Sequence, residues 1–151
     1  RLIEYILGNR NANMLKPHEH LPEIHARLAA ELARPSFYDE VVALLFRTLD
    51  GDTAAMPAPQ LDRPHAARAE IQDRWQLVYE DTGRYWTLYE LGEKLVDLED
   101  YFRRWRFNHV TTVERVIGFK RGTGGTSGVQ YLRRMLEVEL FPELWHVRGA
   151  L

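Results

Sequence analysis

Cysteine is absent from this sequence of 151 residues. Its absence excludes disulfide bridges and thiolate chemistry, and it fits a protein of the reducing cytoplasm. An excess of charge is also lacking, because 20 Lys and Arg stand against 22 Asp and Glu and leave a formal net charge of −2. A chain with this balance offers no electrostatic basis for binding nucleic acid or an acidic membrane.

Long apolar runs are missing as well. None approaches the roughly 20 residues that a membrane-spanning helix needs, so no membrane span is expected. The opening segment, RLIEYILGN, has too short an apolar part for a signal peptide. It shows helical spacing from its second residue without a capping residue before it, and Gly8 is placed to end the helix. We therefore expect the sequence to be the C-terminal part of a longer protein.

No segment shows the alternation of apolar and polar residues, bounded by hairpin turns, that β-strands require. Helical spacing recurs along the chain instead, and the length and the hydrophobic fraction of 45% suit one domain with a core. These features predict a single all-α domain over residues 1–151, built as a bundle of long helices.

Prolines, glycines and capping residues predict several helix boundaries. Residues 52–64 contain three prolines among small and polar residues and are predicted to form a loop. Besides the opening helix, the predicted helices outside the central segment are a helix over residues 22–33, a helix capped by Ser36 and Asp39 and ended by Gly51, and a helix over residues 129–139 with Pro142 at its far end.

A longer helical segment is predicted from His65 onward, over about fifty residues. Gly83 and Gly92 are the positions where it is expected to kink or break, since glycine is unfavourable inside a helix. Its apolar positions step by three or four and form one continuous stripe. The members of this stripe are Leu88, Leu91, Leu95, Leu98, Phe102, Trp105, His109, Thr112 and Val116.

His109 is the unusual member, because the stripe is otherwise aliphatic and aromatic apart from Thr112. On position alone, the favoured interpretation is a core histidine whose nitrogens are satisfied by hydrogen bonds. The second interpretation is a neutral imidazole that projects Nε2 into an apolar slot and ligates a haem iron. Trp105 and Val113 lie one turn before and after His109, so both would face the same slot and contact the cofactor.

A glycine-rich loop, GFKRGTGGTSG at residues 118–128, follows this helix. Its glycines would let the backbone approach a ligand closely, and hydroxyl side chains lie between them. A nucleotide-binding P-loop would need its lysine after the glycines, whereas Lys120 precedes them. The alternative interpretation is a plain flexible connector, but a loop that closes over a bound small molecule explains the hydroxyls better.

The run WRFNHVTTVERVIGFKRGTGGTSGVQYLR and the later LFPELWHVR closely resemble the C-terminal half of bacterial tryptophan 2,3-dioxygenases. RLIEYILGN and DTGRYW match as well, so the resemblance covers essentially the whole chain. It implies an all-α, haem-dependent enzyme that inserts both atoms of O2 across the C2–C3 bond of the indole ring of L-tryptophan. The product would be N-formylkynurenine, in the first step of the kynurenine pathway of tryptophan catabolism. The subunits would form a homotetramer.

The resemblance also implies roles for individual residues. His109 stands where the family has its axial ligand to the iron of haem b. Thr123 and Gly124 stand where the family holds the amino-acid end of the substrate, and Gly122 and Gly125 belong to its mobile loop. The distal histidine and the carboxylate-binding arginine of the family lie upstream of Arg1, and no catalytic acid or base is assigned within this sequence.

Two other functions remain open at this point. A helical oligomerisation or binding module without enzymatic activity would keep His109 in its core and use the glycine-rich loop as a connector. A phosphate-binding enzyme would use the same loop as a cradle before a helix N-terminus.

Overall fold

The computed structural model describes residues 2–51, 65–118 and 128–151. Within these ranges the chain forms helices and no strand, which confirms the all-α prediction. None of the described helices is long and apolar enough to cross a membrane. The predicted loop at residues 52–64 lies outside the described residues. The helices are α1 (Leu2–Leu7), α2 (Pro22–Leu32), α3 (Phe37–Asp50), α4 (His65–Glu80), α5 (Trp86–Ile117), α6 (Gly128–Met135) and α7 (Pro142–Ala150), with short 3-10 helices at Ala12–Met14 and Lys16–His18.

Helices α1 and α3 have the boundaries that their sequences predict. Ser36 Oγ accepts a hydrogen bond from the backbone N–H of Asp39 at 3.2 Å, and the Asp39 carboxylate accepts one from the Ser36 N–H at 2.8 Å. This reciprocal capping box satisfies two N–H groups at the start of α3. Gly8 follows α1 and Gly51 follows α3, with φ of 129° and 92° in the left-handed region that favours glycine.

The two glycines at which a kink or break was expected behave differently. Gly83 lies in the turn between α4 and α5, as predicted, but α5 runs unbroken through Gly92. A Cβ at Gly92 would lie 3.2 Å from Trp75 Cζ3 and 3.3 Å from Leu144 Cδ2. The missing side chain therefore lets α5 lie close to α4 and α7, and packing against these neighbours outweighs the low helix propensity of glycine.

The C-terminal helices depart from the sequence prediction of one helix over residues 129–139. Helix α6 ends at Met135, and Pro142 begins α7 instead of marking the far end of the preceding helix. Proline suits the first turn of a helix, because the N–H that it lacks has no partner there in any case. The same residue type is therefore a start signal as readily as a stop signal.

The buried carboxylate of Glu99, on α5, organises the start of α7. It accepts hydrogen bonds from the backbone N–H groups of Leu140 at 2.8 Å and Phe141 at 2.9 Å, and from the indole N–H of Trp145 at 2.9 Å. A negative charge near a helix N-terminus also interacts favourably with the helix dipole. Glu99 thereby holds the connection between α6 and α7 against α5.

The main core lies between α3, α4, α5 and α7, and α5 contributes to it mostly from its first part. A smaller cluster of Tyr5, Met14 and Leu28 joins α1, the first 3-10 helix and α2. The buried members of the main core are Val41, Val42, Leu45, Phe46, Ile71, Trp75, Val78, Leu88, Leu95, Val96, Leu140, Phe141, Leu144 and Val147.

Gly92→Ala should destabilise the chain, although alanine is the better helix former. The new methyl group meets Trp75 and Leu144, which are only 2% and 1% exposed and have little room to move. Overpacking of this kind costs about 1–3 kcal/mol, whereas alanine gains at most about 1 kcal/mol in a helix. Urea unfolding should therefore show a lower midpoint for the variant.

Gly149→Ala, in α7, is the matched control for this prediction. No atom lies within 4 Å of a Cβ built at Gly149, so the variant should unfold at an equal or higher urea concentration. Two variants with the same midpoint would contradict the close packing at Gly92.

Candidate functional site

The apolar stripe of α5 divides into a buried part and an exposed part. Leu88 and Leu95 are 4% and 2% exposed and belong to the core. From Leu98 onward the stripe is exposed apart from Phe102, which is partly buried against the core, and the exposed fraction reaches 56% at Trp105 and 78% at Val116. The continuous spacing of the stripe is confirmed, but its members do not share one environment.

His109 lies in the exposed part of this stripe. The interpretation of His109 as a buried core histidine is therefore wrong. Neither ring nitrogen forms a hydrogen bond with another residue among those that the structure describes. An imidazole with unbonded nitrogens can ligate a metal without first breaking an internal contact.

Three parallel rings form a stack along this face of α5. The ring centroids of Phe102 and Trp105 are 5.4 Å apart with an interplanar angle of 9°, and those of Trp105 and His109 are 5.4 Å apart at 2°. Spacings of three and four residues place such side chains one above the other on a helix. The imidazole of His109 therefore lies parallel to the indole of Trp105, and this contact favours that ring plane.

A cleft of about 560 Å³ opens beside the stack. Ile3 and Glu4 line it from α1, Leu132 and Met135 line it from α6, and the stack with Arg106 lines it from α5. Most of this lining is apolar. The volume falls within the range of sites for small molecules and cofactors, roughly 300–1,000 Å³.

The cleft suits haem better than a metal ion alone. Across residues 2–51, 65–118 and 128–151 no group of three or more His, Cys, Asp or Glu is arranged to hold an ion. Haem already contains its equatorial nitrogen ligands, so it needs only an axial ligand and an apolar surface from the protein. His109 offers the first, and the rings of Trp105 and Phe102 offer the second.

A buried ion pair joins α5 to α1 at this cleft. Arg106 donates from Nε to Glu4 Oε1 at 3.2 Å and from Nη2 to Glu4 Oε2 at 2.7 Å. Its Nη1 donates to the backbone carbonyl of Val138 at 2.8 Å. The sequence offers no signal for this pair, because its members are 102 residues apart and charged residues on helices are normally exposed.

Of the remaining predicted site residues, the structure describes only Val113. Val113 lies one turn beyond His109, is partly buried and is not part of the lining. Both helices that flank the glycine-rich loop contribute to the cleft, since α5 carries His109 and α6 carries Leu132 and Met135. The loop residues assigned from the sequence lie outside the described residues; they are Gly122, Thr123, Gly124 and Gly125.

The fold and the cleft together define a class of protein, an all-α protein that presents a helical histidine in an aromatic, cofactor-sized cleft. A family model described as tryptophan 2,3-dioxygenase matches residues 62–151, which is more than half of the chain. This chain belongs to the tryptophan 2,3-dioxygenase family, and the resemblance stated from its motifs is confirmed.

Several curated relatives carry the name tryptophan 2,3-dioxygenase. The chain is 78% identical over 151 residues to the one from Ruegeria sp. (strain TM1040). It is 63% identical over 155 residues to the one from Bradyrhizobium diazoefficiens and 56% identical over 151 residues to the one from Burkholderia pseudomallei (strain 668). These alignments cover 100% of this chain but 54%, 54% and 49% of the relatives. The chain therefore spans about half the length of the curated relatives it matches.

Because the stripe has a buried part and an exposed part, the same leucine-to-alanine substitution should cost different amounts of unfolding free energy in the two parts. Leu95→Ala removes a core side chain that is 2% exposed and should cost about 2–5 kcal/mol of unfolding free energy. Leu98→Ala, about one turn later and 39% exposed, should cost less than about 1 kcal/mol. Urea unfolding of the chain measures both values. Equal losses of unfolding free energy would mean that Leu98 is as buried as Leu95.

Proposed function

We propose that this chain is part of a haem-dependent dioxygenase that acts on L-tryptophan. The reaction inserts both atoms of O2 across the C2–C3 bond of the indole ring and yields N-formylkynurenine. One observation carries the proposal: the exposed imidazole of His109, which bonds none of the residues that the structure describes, lies in an apolar cleft on a chain of the tryptophan 2,3-dioxygenase family.

His109 would hold the iron of haem b through one ring nitrogen. Trp105 would restrain the imidazole plane through the stacked contact, and Phe102 would add apolar surface for the cofactor. Val113, one turn beyond His109, is assigned to the edge of the same cofactor. When bound, the haem supplies the redox chemistry that activates O2.

The amino-acid end of the substrate is assigned to Thr123 and Gly124. Gly122 and Gly125 would allow the loop around them to close over the bound ligand. The family resemblance of the GTGG motif supports these assignments, and so does the place of the loop between two helices that line the cleft. Closure at this place would orient the substrate and exclude water from the reaction.

The active protein is assigned as a homotetramer in the cytoplasm. The homotetramer is assigned from the family resemblance, and the exposed apolar side chains of α5, such as Tyr101 at 68% and Val116 at 78%, are compatible with it. The lack of cysteine fits the reducing compartment. A binding module without enzymatic activity is not favoured, since the chain belongs to an enzyme family.

His109→Ala in the full-length protein should remove or strongly alter the Soret band of the haem. The variant should also form no N-formylkynurenine from L-tryptophan and O2, because the cofactor loses its only assigned ligand from this chain. The optical spectrum and the growth of N-formylkynurenine absorbance measure the two effects.

His146→Ala is the matched control, because His146 is an exposed histidine of α7 outside the cleft. It should keep the wild-type spectrum and turnover. A His109→Ala variant with normal haem and turnover would refute the assignment of His109, and a colourless wild-type protein would favour the binding module.

A further inference from the structure

We propose that the Glu4–Arg106 ion pair is a positioning device, which holds α1 in register against the turn of α5 that carries His109. The inference rests on the proposed function, because it concerns the placement of the proposed axial ligand. Arg106 precedes His109 by one turn, and Arg106 and Glu4 both line the cleft. Neither residue is assigned a contact with substrate or with the reacting atoms.

An arginine beside a haem would ordinarily be assigned to a carboxylate of the cofactor, because guanidinium groups bind carboxylates in bidentate fashion. In this cleft the guanidinium already has such a partner. Its Nε and Nη2 donate to the two oxygens of Glu4, and its Nη1 donates to the Val138 carbonyl. Asn9 Nδ2 also donates to Glu4 Oε2 at 3.1 Å. The pair is therefore a neutral, internally satisfied unit and not an anion site.

Arg106 links the walls of the cleft to one another. Through Glu4 it reaches α1, whose Ile3 lines the cleft beside that glutamate. Its Cζ lies over the Phe102 ring, 4.6 Å from the centroid. Phe102 is the first ring of the stack that ends at His109. A displacement of Arg106 would therefore shift Phe102 and Trp105, and with them the imidazole of His109. Through Glu4 it would also shift α1, which forms one wall of the cleft.

Stability and positioning can be separated for this pair. Arg106 and Glu4 are 4% and 7% exposed, so removal of one partner leaves an uncompensated buried charge and destabilises the fold. Replacement of both by apolar side chains of similar size is often neutral for stability. Apolar contacts are not directional, however, so they would not restore the register of α1 on α5.

The test uses the reduced full-length protein with Arg106→Met and with the double variant Glu4→Leu, Arg106→Met. Resonance Raman spectroscopy of the iron–histidine stretching band reports the placement of His109. Transfer of haem to an excess of apomyoglobin reports retention of the cofactor. We expect a shifted or broadened band and about tenfold faster haem release in both variants, as for losses of outer contacts around metal ligands. The double variant should unfold at a higher urea concentration than Arg106→Met, because it leaves no buried charge without a partner.

Arg148→Met is the matched control. Arg148 is likewise paired with a glutamate, since its Nη2 donates to Glu93 Oε1 at 2.6 Å, but this pair joins α7 to the first part of α5 outside the cleft. The control should leave the band and the release rate unchanged. If Arg106→Met does not fold, the double variant alone decides the question.

The outcomes distinguish this inference from the proposed function. A wild-type band that depends on His109, together with a wild-type band and release rate in the double variant, would overturn the inference alone. In that case the ion pair would serve only the stability of the fold. A wild-type protein with no His109-dependent band would overturn the proposed function, and this inference with it.

Discussion

The buried carboxylate of Glu99 is the contact on which the C-terminal helices depend. It gathers two backbone N–H groups and the indole N–H of Trp145 onto α5, and so fixes the chain just before α7. Val138 lies in that same connection, and its carbonyl accepts a hydrogen bond from Arg106. Arg106 in turn binds Glu4 of α1. One series of contacts thus runs from the buried part of α5 to the far wall of the cleft.

Helix α5 combines two roles that its uniform spacing conceals. Its first part packs into the core beside α4 and α7, where Gly92 permits close approach. Its later part projects the stack that ends in His109. A helix of 32 residues is about 48 Å long, so one rigid element anchors in the core at one end and presents the cleft at the other. Sites built on rigid elements hold their geometry more closely than sites built on loops.

Features set by neighbours in sequence could be predicted, whereas features set by distant contacts could not. The capping box of Ser36 and Asp39 is local, and the sequence alone placed the start of α3. Gly92 has the same local propensity as Gly83, yet only Gly83 lies in a turn between helices, because Trp75 and Leu144 pack against Gly92 within α5. Pro142 begins a helix for a similar reason, since Glu99 organises the residues before it.

The candidate site likewise has features that the sequence predicts and features that depend on distant contacts. Helical spacing placed Trp105 beside His109, and the family motif identified the histidine as the ligand to consider. Spacing alone favoured a buried histidine, because a periodic pattern shows which residues share a face but not which elements cover that face. The Glu4–Arg106 pair had no sequence signal at all, since it depends on how α1 packs against α5 in the folded chain.

The central claim is that the side chain of His109 reaches into an open cleft as the axial ligand of haem. Removal of that side chain as His109→Gly in the full-length protein should leave a space beside Trp105 that free imidazole can enter. The most direct measurement is the haem spectrum of this variant, recorded during a titration with imidazole. The account predicts that the wild-type Soret band is lost in the variant and returns as imidazole is added. A wild-type spectrum in the variant without imidazole would contradict it.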